Sequence, residues 1–509
     1  MKRFLSKIFS PAGVAILAIL LQLLVFFFLM SRFLQALPWV YAFSTAMALF
    51  LALHLIQKEG NPETKIAWLV LILLFPVFGA IIYLTFARNR FFPSERKKAK
   101  LISMDFQESA RLLPSGLDRL CQRYPLWAQD ARYLSTVTKT PPYEQTQVTF
   151  LPLGEAMFER LLQDLEAAET SIFLEFYIIR EGKMWSAIRE ILIKKAKEGL
   201  DVRVMADGFG SAFSLGGSSL TALEKEGVSF CYYNPIHPLL PSRVNSRSHR
   251  KICVIDGGIG YLGGINISDS YINADGASRH WLDNGVRLQG HGVFALSLMF
   301  LTLWDFERGK AEPYGDFLPP ARLLPKTSDG FVQPYADSPY NRENTGKNVY
   351  MGLIGRASSY LYITSPYLVP DTTLTNALIR AAKSGVDVRI MTPGTSDSRI
   401  VQILTRSYYP TLLRGGVRIY EYTPGMVHAK TMFSDDQAAV VGSINLDYRS
   451  LYLMHESAAF LVGCGCIHEI RKDFEENLLK CREIHFEDCK NRWMNRFVRA
   501  ILRLIAPLM

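Results

Sequence analysis

Acidic residues are the minority charge in this chain, and nowhere do they cluster. Its 509 residues carry 47 Asp and Glu against 57 Lys and Arg, a net charge of +10. A divalent-metal phosphodiesterase needs carboxylates packed densely around its ions, so that chemistry is not indicated and no metal is called for. There is no GxxxxGK[ST] loop and no dinucleotide-binding fingerprint. Their absence argues against a nucleotide-driven reaction or hydride transfer and leaves no cofactor to place. Cysteine is sparse as well: seven residues, an odd number, without a C-x2-C pair or a framework spacing, which excludes a disulfide scaffold. Cys464, Cys466 and His468 form a C-x-C-x-H, but a structural zinc site needs four ligands from two separated pairs. Buried free thiols are the reading, and these suit a reducing compartment.

Long apolar runs, by contrast, open the chain. Gly13 to Met30, Pro38 to Ile56 and Ile66 to Phe86 are each close to the ~20 residues that a bilayer requires, which predicts three transmembrane helices. Lys2, Arg3 and Lys7 precede the first run as they would in a signal peptide, yet that run is long for one and lacks a small-residue cleavage site. The expected organisation is a first transmembrane helix over 1–37, a transmembrane hairpin over 38–90 and a basic juxtamembrane connector over 91–140. Arg88, Arg90, Arg96, Lys97, Lys98 and Lys100 crowd the membrane exit and point to anionic lipid headgroups. Basic proteins also bind nucleic acid, but three membrane spans favour lipid and no nucleic-acid partner is expected.

From about Gln147 onward, apolar strand-like runs alternate with amphipathic helices, an α/β signature. The order SIFLEFYII, WSAIREILIKKAKEG, LDVRVMADG returns as YLYITSPYL, LTNALIRAAKSG, VDVRIMTPG. A repeat of this length predicts two similar halves, over 141–315 and 326–488, joined by the proline-rich Glu312–Pro325 linker. Such halves pack best with their sheets paired about a pseudo-twofold axis and helices outside. The first half carries a longer loop, Ile236 to Ser248, at the place where a lid or selectivity element would sit. Residues 489–509 read as an amphipathic helix: Met494, Phe497, Val498, Ile501 and Ile505 form one stripe, and Arg492, Arg496, Arg499 and Arg503 the opposite face.

Each half also carries the pattern H-x-K-x4-D followed by Gly-[Gly/Ser]-x-Asn. In the first these are His249, Lys251, Asp256, Gly263, Gly264 and Asn266; in the second His428, Lys430, Asp435, Gly442, Ser443 and Asn445. Extended backbone puts His and Lys two residues apart on one face, so each half delivers an imidazole and a cation to one cleft. Lys251, Lys430, Asn266, Asn445 and Ser443 are expected as donors to phosphoryl oxygens, and Asp256 and Asp435 as braces of the fold. One imidazole can attack phosphorus while the other shuttles the proton. Glu456 and its counterpart Asp283 are placed to orient imidazoles through a ring N–H.

These motifs, with NSRSHRKICVIDG, SPYLVPD, MVHAKTM and SINLDYRS, resemble the phospholipase D superfamily, and among its members the bacterial cardiolipin synthases. Trp281-Leu282-Asp283 stands where that family has W-R-D. The resemblance implies the duplicated phospholipase D-like α/β fold, His249 as nucleophile and His428 as general acid/base. It further implies a multi-pass enzyme of the bacterial plasma membrane that joins two phosphatidylglycerols into cardiolipin with release of glycerol. Hydrolysis, or transfer to another alcohol, is the alternative outcome of the same chemistry. The positive-inside balance of the three expected spans turns the catalytic domain toward the cytoplasm.

Overall fold

The computed structural model describes the chain apart from residues 1–21, 23, 33–37, 88–92, 213, 216–221, 236–244, 278, 310–311, 341–342, 490–492 and 509. Much of the first apolar run, Arg88, Arg90, Arg492 and most of the Ile236–Ser248 loop therefore lie outside the described residues. The chain divides into two compact units, residues 1–88 and 89–509.

Within the first unit, helices span Pro38–Gln57, Pro62–Leu74 and Pro76–Phe86. Asn61 starts the second of these: its side-chain oxygen accepts from the N–H groups of Glu63 (2.7 Å) and Thr64 (3.2 Å). The Ile66–Phe86 run expected as one span is instead broken at Phe75, because the ring of Pro76 cannot continue the preceding turn. Two helices of 13 and 11 residues result. Among the described residues, no helix is both long and apolar enough to cross a membrane.

The second unit holds two large sheets and a two-stranded third among the described residues. In the first half the strands are β1 (Thr146–Leu151), β2 (Ser171–Phe176), β3 (Asp201–Asp207), β4 (Ser229–Tyr233), β5 (Lys251–Ile255), β6 (Ile259–Gly263), β7 (His280–Leu282) and β8 (Gly285–Gly290). The second half supplies β9 (Phe331–Asp337), β10 (Tyr360–Thr364), β11 (Asp387–Pro393), β12 (Arg418–Tyr422), β13 (Gly425–Val427), β14 (Thr431–Ser434), β15 (Ala438–Gly442), β16 (Glu456–Val462) and β17 (Cys481–Ile484). One sheet runs β1-β8-β6-β5-β2-β3-β4 and the other β9-β16-β15-β14-β10-β11-β12-β17. The order is the same, with β17 added at one edge, so the sequence repeat is a repeat of topology.

Two expectations about packing change. The Gly292–Arg308 helix is buried over most of its length rather than lying outside, which its uncharged GVFALSLMFLTLW stretch explains. Each large apolar side chain so buried contributes about 1.5–3 kcal/mol. The expected connector is also part of the catalytic unit: Leu120, Trp127, Ala131 and Leu134 are fully buried in the core of the second half, and helix Pro93–Ser109 packs on Gly292–Arg308. At the other end, helix Trp493–Ile505 leaves Phe497, Val498, Ile501 and Ile505 exposed. Leu502 packs against the core, and Arg503 lies 4.4 Å over the ring of Tyr408.

Candidate active site

The two halves are stitched together at the strands that carry the motif histidines. β13, leading into His428, pairs in parallel with β7, leading into Asp283. Ser248, before His249, bridges in the same sense to His455, before Glu456. The backbone N–H of His428 donates to the carbonyl of Leu282 (2.7 Å) and that of His249 to the carbonyl of His455 (2.8 Å). Each imidazole is thus set beside the carboxylate of the opposite half.

That cross-pairing decides the hydrogen bonds. His249 Nδ1 lies 2.9 Å from Glu456, and His428 Nδ1 lies 2.6 Å from Asp283. An Nδ1–H donated to a carboxylate leaves Nε2 with its lone pair, the nucleophilic or basic position. Lys430 Nζ also lies 2.7 Å from His428 Nδ1, a contact that is electrostatic once that nitrogen donates to Asp283. Both lysines donate to the carbonyl of their own motif histidine. All six residues are buried.

Burial of so many ionisable groups sets their proton affinities. Burial, then the neighbouring Lys251, Lys430 and His428, hold His249 well below the ordinary imidazole value. Burial and Lys430 push His428 down to about 4, against the pull of Asp283. Burial lowers Lys251 to about 7 and Lys430 to about 8, and raises Glu456 to about 8. Empty, the site is a desolvated cation pocket with two neutral imidazoles, which an entering anion stabilises.

The remaining motif residues take different places. Ser443, expected among the phosphate donors, has its hydroxyl committed: it donates to Glu456 and accepts from the N–H of Ser457 (3.0 Å). Asn266 accepts from the N–H of Ile178 (3.1 Å) and donates to the Tyr271 hydroxyl (2.7 Å). Asn445 donates to Asp447, while its own side-chain oxygen is buried without a partner among the described residues. A primary amide has two N–H donors, so one on each remains beyond these bonds. Asp256 and Asp435 stand away from the imidazoles. Asp256, at φ +50°, accepts from the N–H groups of Glu169 (3.0 Å), Thr170 (2.7 Å) and Ser171 (3.1 Å). Asp435, at φ +54°, does the same for Ser358 (2.8 Å), Ser359 (2.9 Å) and Tyr360 (2.9 Å). His468 points at Asp436 (3.4 Å), and Cys464 and Cys466 are buried free thiols.

Sequence reasoning missed the rings that wall the imidazoles. Tyr177 meets His249 edge-on at 5.1 Å, while Tyr271 (5.2 Å) and Trp281 (5.4 Å) flank His428. It also missed Glu175 and Asp207, which hold Ser248 through its hydroxyl (2.5 Å) and its N–H (2.9 Å). Glu175 was visible as the one charge in the apolar strand SIFLEF.

Two tandem domains that share a site of paired histidines and lysines define a phosphodiester-transfer class. The family model described as cardiolipin synthase, PLD-like domain, matches residues 161–289 and 350–478, and that described as phospholipase D-nuclease N-terminal matches 46–88. An uncharacterized protein of Streptococcus mutans is 38% identical over 90% of this chain and 99% of its own length. The cardiolipin synthases of Halalkalibacterium halodurans and Geobacillus kaustophilus are 35% and 34% identical over 91% of this chain and 93% and 92% of theirs. The chain belongs to the cardiolipin synthase family of phospholipase D-like proteins. Among solved structures, that of the phosphatidylserine synthase of Haemophilus influenzae superposes with a TM-score of 0.56 at 16% identity, over 75% of this chain and 98% of that one, which shows a shared fold.

Proposed function

We propose that this protein is a cardiolipin synthase that transfers a phosphatidyl group from one phosphatidylglycerol to another. The carrying observation is the cross-half arrangement, in which each buried imidazole bonds through Nδ1 to a carboxylate of the other half. In this reading His249 Nε2 attacks phosphorus, the P–O bond to glycerol breaks, and protonated His428 gives its proton to the departing alkoxide. His428 then takes the proton of the incoming phosphatidylglycerol hydroxyl, whose oxygen displaces His249 and regenerates the enzyme. Lys251 and Lys430, with the amides of Asn266 and Asn445, stabilise the phosphoryl oxygens. The bound anion also restores the proton affinity of His428 that burial had lowered, so the acid is made by the substrate it serves.

The exchange replaces one phosphodiester by another, so no nucleotide is needed. Anchoring of residues 1–90 in a bacterial membrane, with the exposed stripe of the C-terminal helix on its surface, supplies donor and acceptor together. The test is purified protein in phosphatidylglycerol vesicles without nucleotide: cardiolipin and glycerol are expected in equal amounts. Phosphatidic acid as the main product would make the protein a hydrolase, and product only on addition of serine or ethanolamine would make it another phosphatidyltransferase.

A further inference from the structure

A cavity of about 280 Å³ lies behind the catalytic strands of the first half. Its wall is apolar, with Ile102 and Phe106 of helix Pro93–Ser109 facing Met299, Leu303 and Phe306 of helix Gly292–Arg308. Arg250 and Lys139 bring positive charge to it, His455 lines it as well, and no carboxylate does so among the described residues. Alternation explains why: His249 and Lys251 face the cleft, so Arg250 between them faces away, as His455 does beside Glu456.

Both side chains are buried, and Arg250 Nε and His455 Nδ1 have no hydrogen-bond partner among the described residues. Arg250 donates to the carbonyl of Met299 (3.0 Å) and lies 4.0 Å from Glu175, while His455 Nε2 bonds the Tyr233 hydroxyl (2.8 Å). An orphaned polar atom in a roomy pocket calls for a partner.

The duplication supplies an internal control. Behind His428, the residues facing away at the equivalent points are Ala429 and Leu282. They line a void of only about 10 Å³, closed by Ile470 and Phe474 of helix Cys466–Leu478. One copy of the fold all but closes this space; the other keeps it open, places Arg250 and His455 beside it and roofs it with helix Pro93–Ser109.

We infer that this cavity is a binding site for an acyl chain with a hydrogen-bond-accepting anionic or ester head, the chain between the two helices and the head on Arg250 and His455. The site is separate from the catalytic cleft and does not depend on the transfer reaction proposed above. A bound chain abuts the strand that presents His249.

The test is photocrosslinking of full-length protein in phosphatidylglycerol vesicles, with a diazirine-bearing fatty acid in one arm and a phosphatidylglycerol carrying the same chain in the other. His249→Ala protein is run in parallel, so that the result is independent of turnover. Adducts are expected in peptides covering 99–107 and 299–306 in at least one arm, and the arm that reacts names the source of the chain. Ser103→Trp, which plugs the cavity from its rim, and Arg250→Ala/His455→Leu, which imitates the arrangement behind His428, are each expected to reduce those adducts at least tenfold. Adducts absent from both peptides in both arms, or unchanged in Ser103→Trp protein that retains its thermal transition, overturn the inference.

Discussion

Asp283 and Glu456 do the same work on opposite imidazoles although one is a methylene shorter, and the residue after the paired glycine position absorbs the difference. A Cβ on Gly264 would stand 2.1 Å from the Asp283 carboxylate, whereas Ser443 reaches Glu456 with its hydroxyl. The Gly/Ser alternation in the motif therefore tracks the Asp/Glu alternation in the neighbouring segment. That link was illegible in the sequence, because nothing in the spacing says that each carboxylate serves the other half's histidine. The histidines themselves separate by chemistry. His249→Ala is expected to abolish both transfer and covalent adduct, and His428→Ala to allow adduct from an activated phosphodiester while slowing turnover by about 10²–10⁴. Acid-quenched adducts resolved by mass spectrometry check this; cardiolipin formation by both variants would refute the assignment. The lysines set the pH dependence. Both must be charged to receive a phosphodiester, and both lose their proton early, at about 7 and about 8, because they are buried. Below these values the charge is present and above them it is lost, so kcat/KM is expected to fall as pH rises through 7 to 8. Lys251→Arg should carry activity to higher pH, since guanidinium does not titrate there. A flat profile to pH 9.5 would remove the lysines from phosphate binding.

At the level of elements, the H-x-K-x4-D spacing is the length of one short strand and the turn that ends it. The five-residue strand Lys251–Ile255 stops at Asp256, whose left-handed turn aims its carboxylate at three N–H groups that open β2. Burial works to raise Asp256, but those backbone donors hold it below the usual carboxylate value. Asp256 and Asp435, expected as braces, stand at the far ends of their strands and accept from backbone N–H groups there. Asp256→Ala is expected to cost about 1–3 kcal/mol by stranding those donors. Asp435→Ala should cost less, because Asp435 is only half-buried whereas Asp256 is buried. Thermal unfolding gives the order, and a Tm equal to wild type for both would refute it. Pro76 is the overlooked signal: length and apolarity alone make Ile66–Phe86 one span, whereas a proline in the middle of such a run breaks the helix. Phe497, Val498, Ile501 and Ile505 of the C-terminal helix are exposed, so truncation before Trp493 is expected to weaken binding to anionic vesicles in sedimentation assays; binding equal to the full chain would assign that face to another contact.

For the whole molecule, the repeat, its order and the shared histidine site were legible because duplication writes each element twice. Burial of the Gly292–Arg308 helix and the docking of residues 93–138 were not, since both depend on which faces the two halves leave uncovered. The membrane side of the active site depends on a charge balance that the fold does not fix. With three spans, the amino terminus and the enzyme lie on opposite faces, so their basic flanks compete under the positive-inside rule. A cytoplasmic enzyme puts Arg32 and the six basic residues from Arg88 to Lys100 inside, against Lys2, Arg3, Lys7, Lys58 and Lys65 outside. Seven against five favours the cytoplasm by a small margin. An even number of spans would place the amino terminus inside with the enzyme, and then Lys2, Arg3 and Lys7 would join the same side. A cytoplasmic active site is the expectation in either arrangement, and the two differ only in the amino terminus. A cysteine introduced at Ser94 is therefore expected to resist a membrane-impermeant maleimide in intact cells and to react after permeabilisation, in a background whose native thiols are replaced. Labelling in intact cells would put catalysis on the outer face, where the donor and acceptor lipids would have to be drawn from the other leaflet.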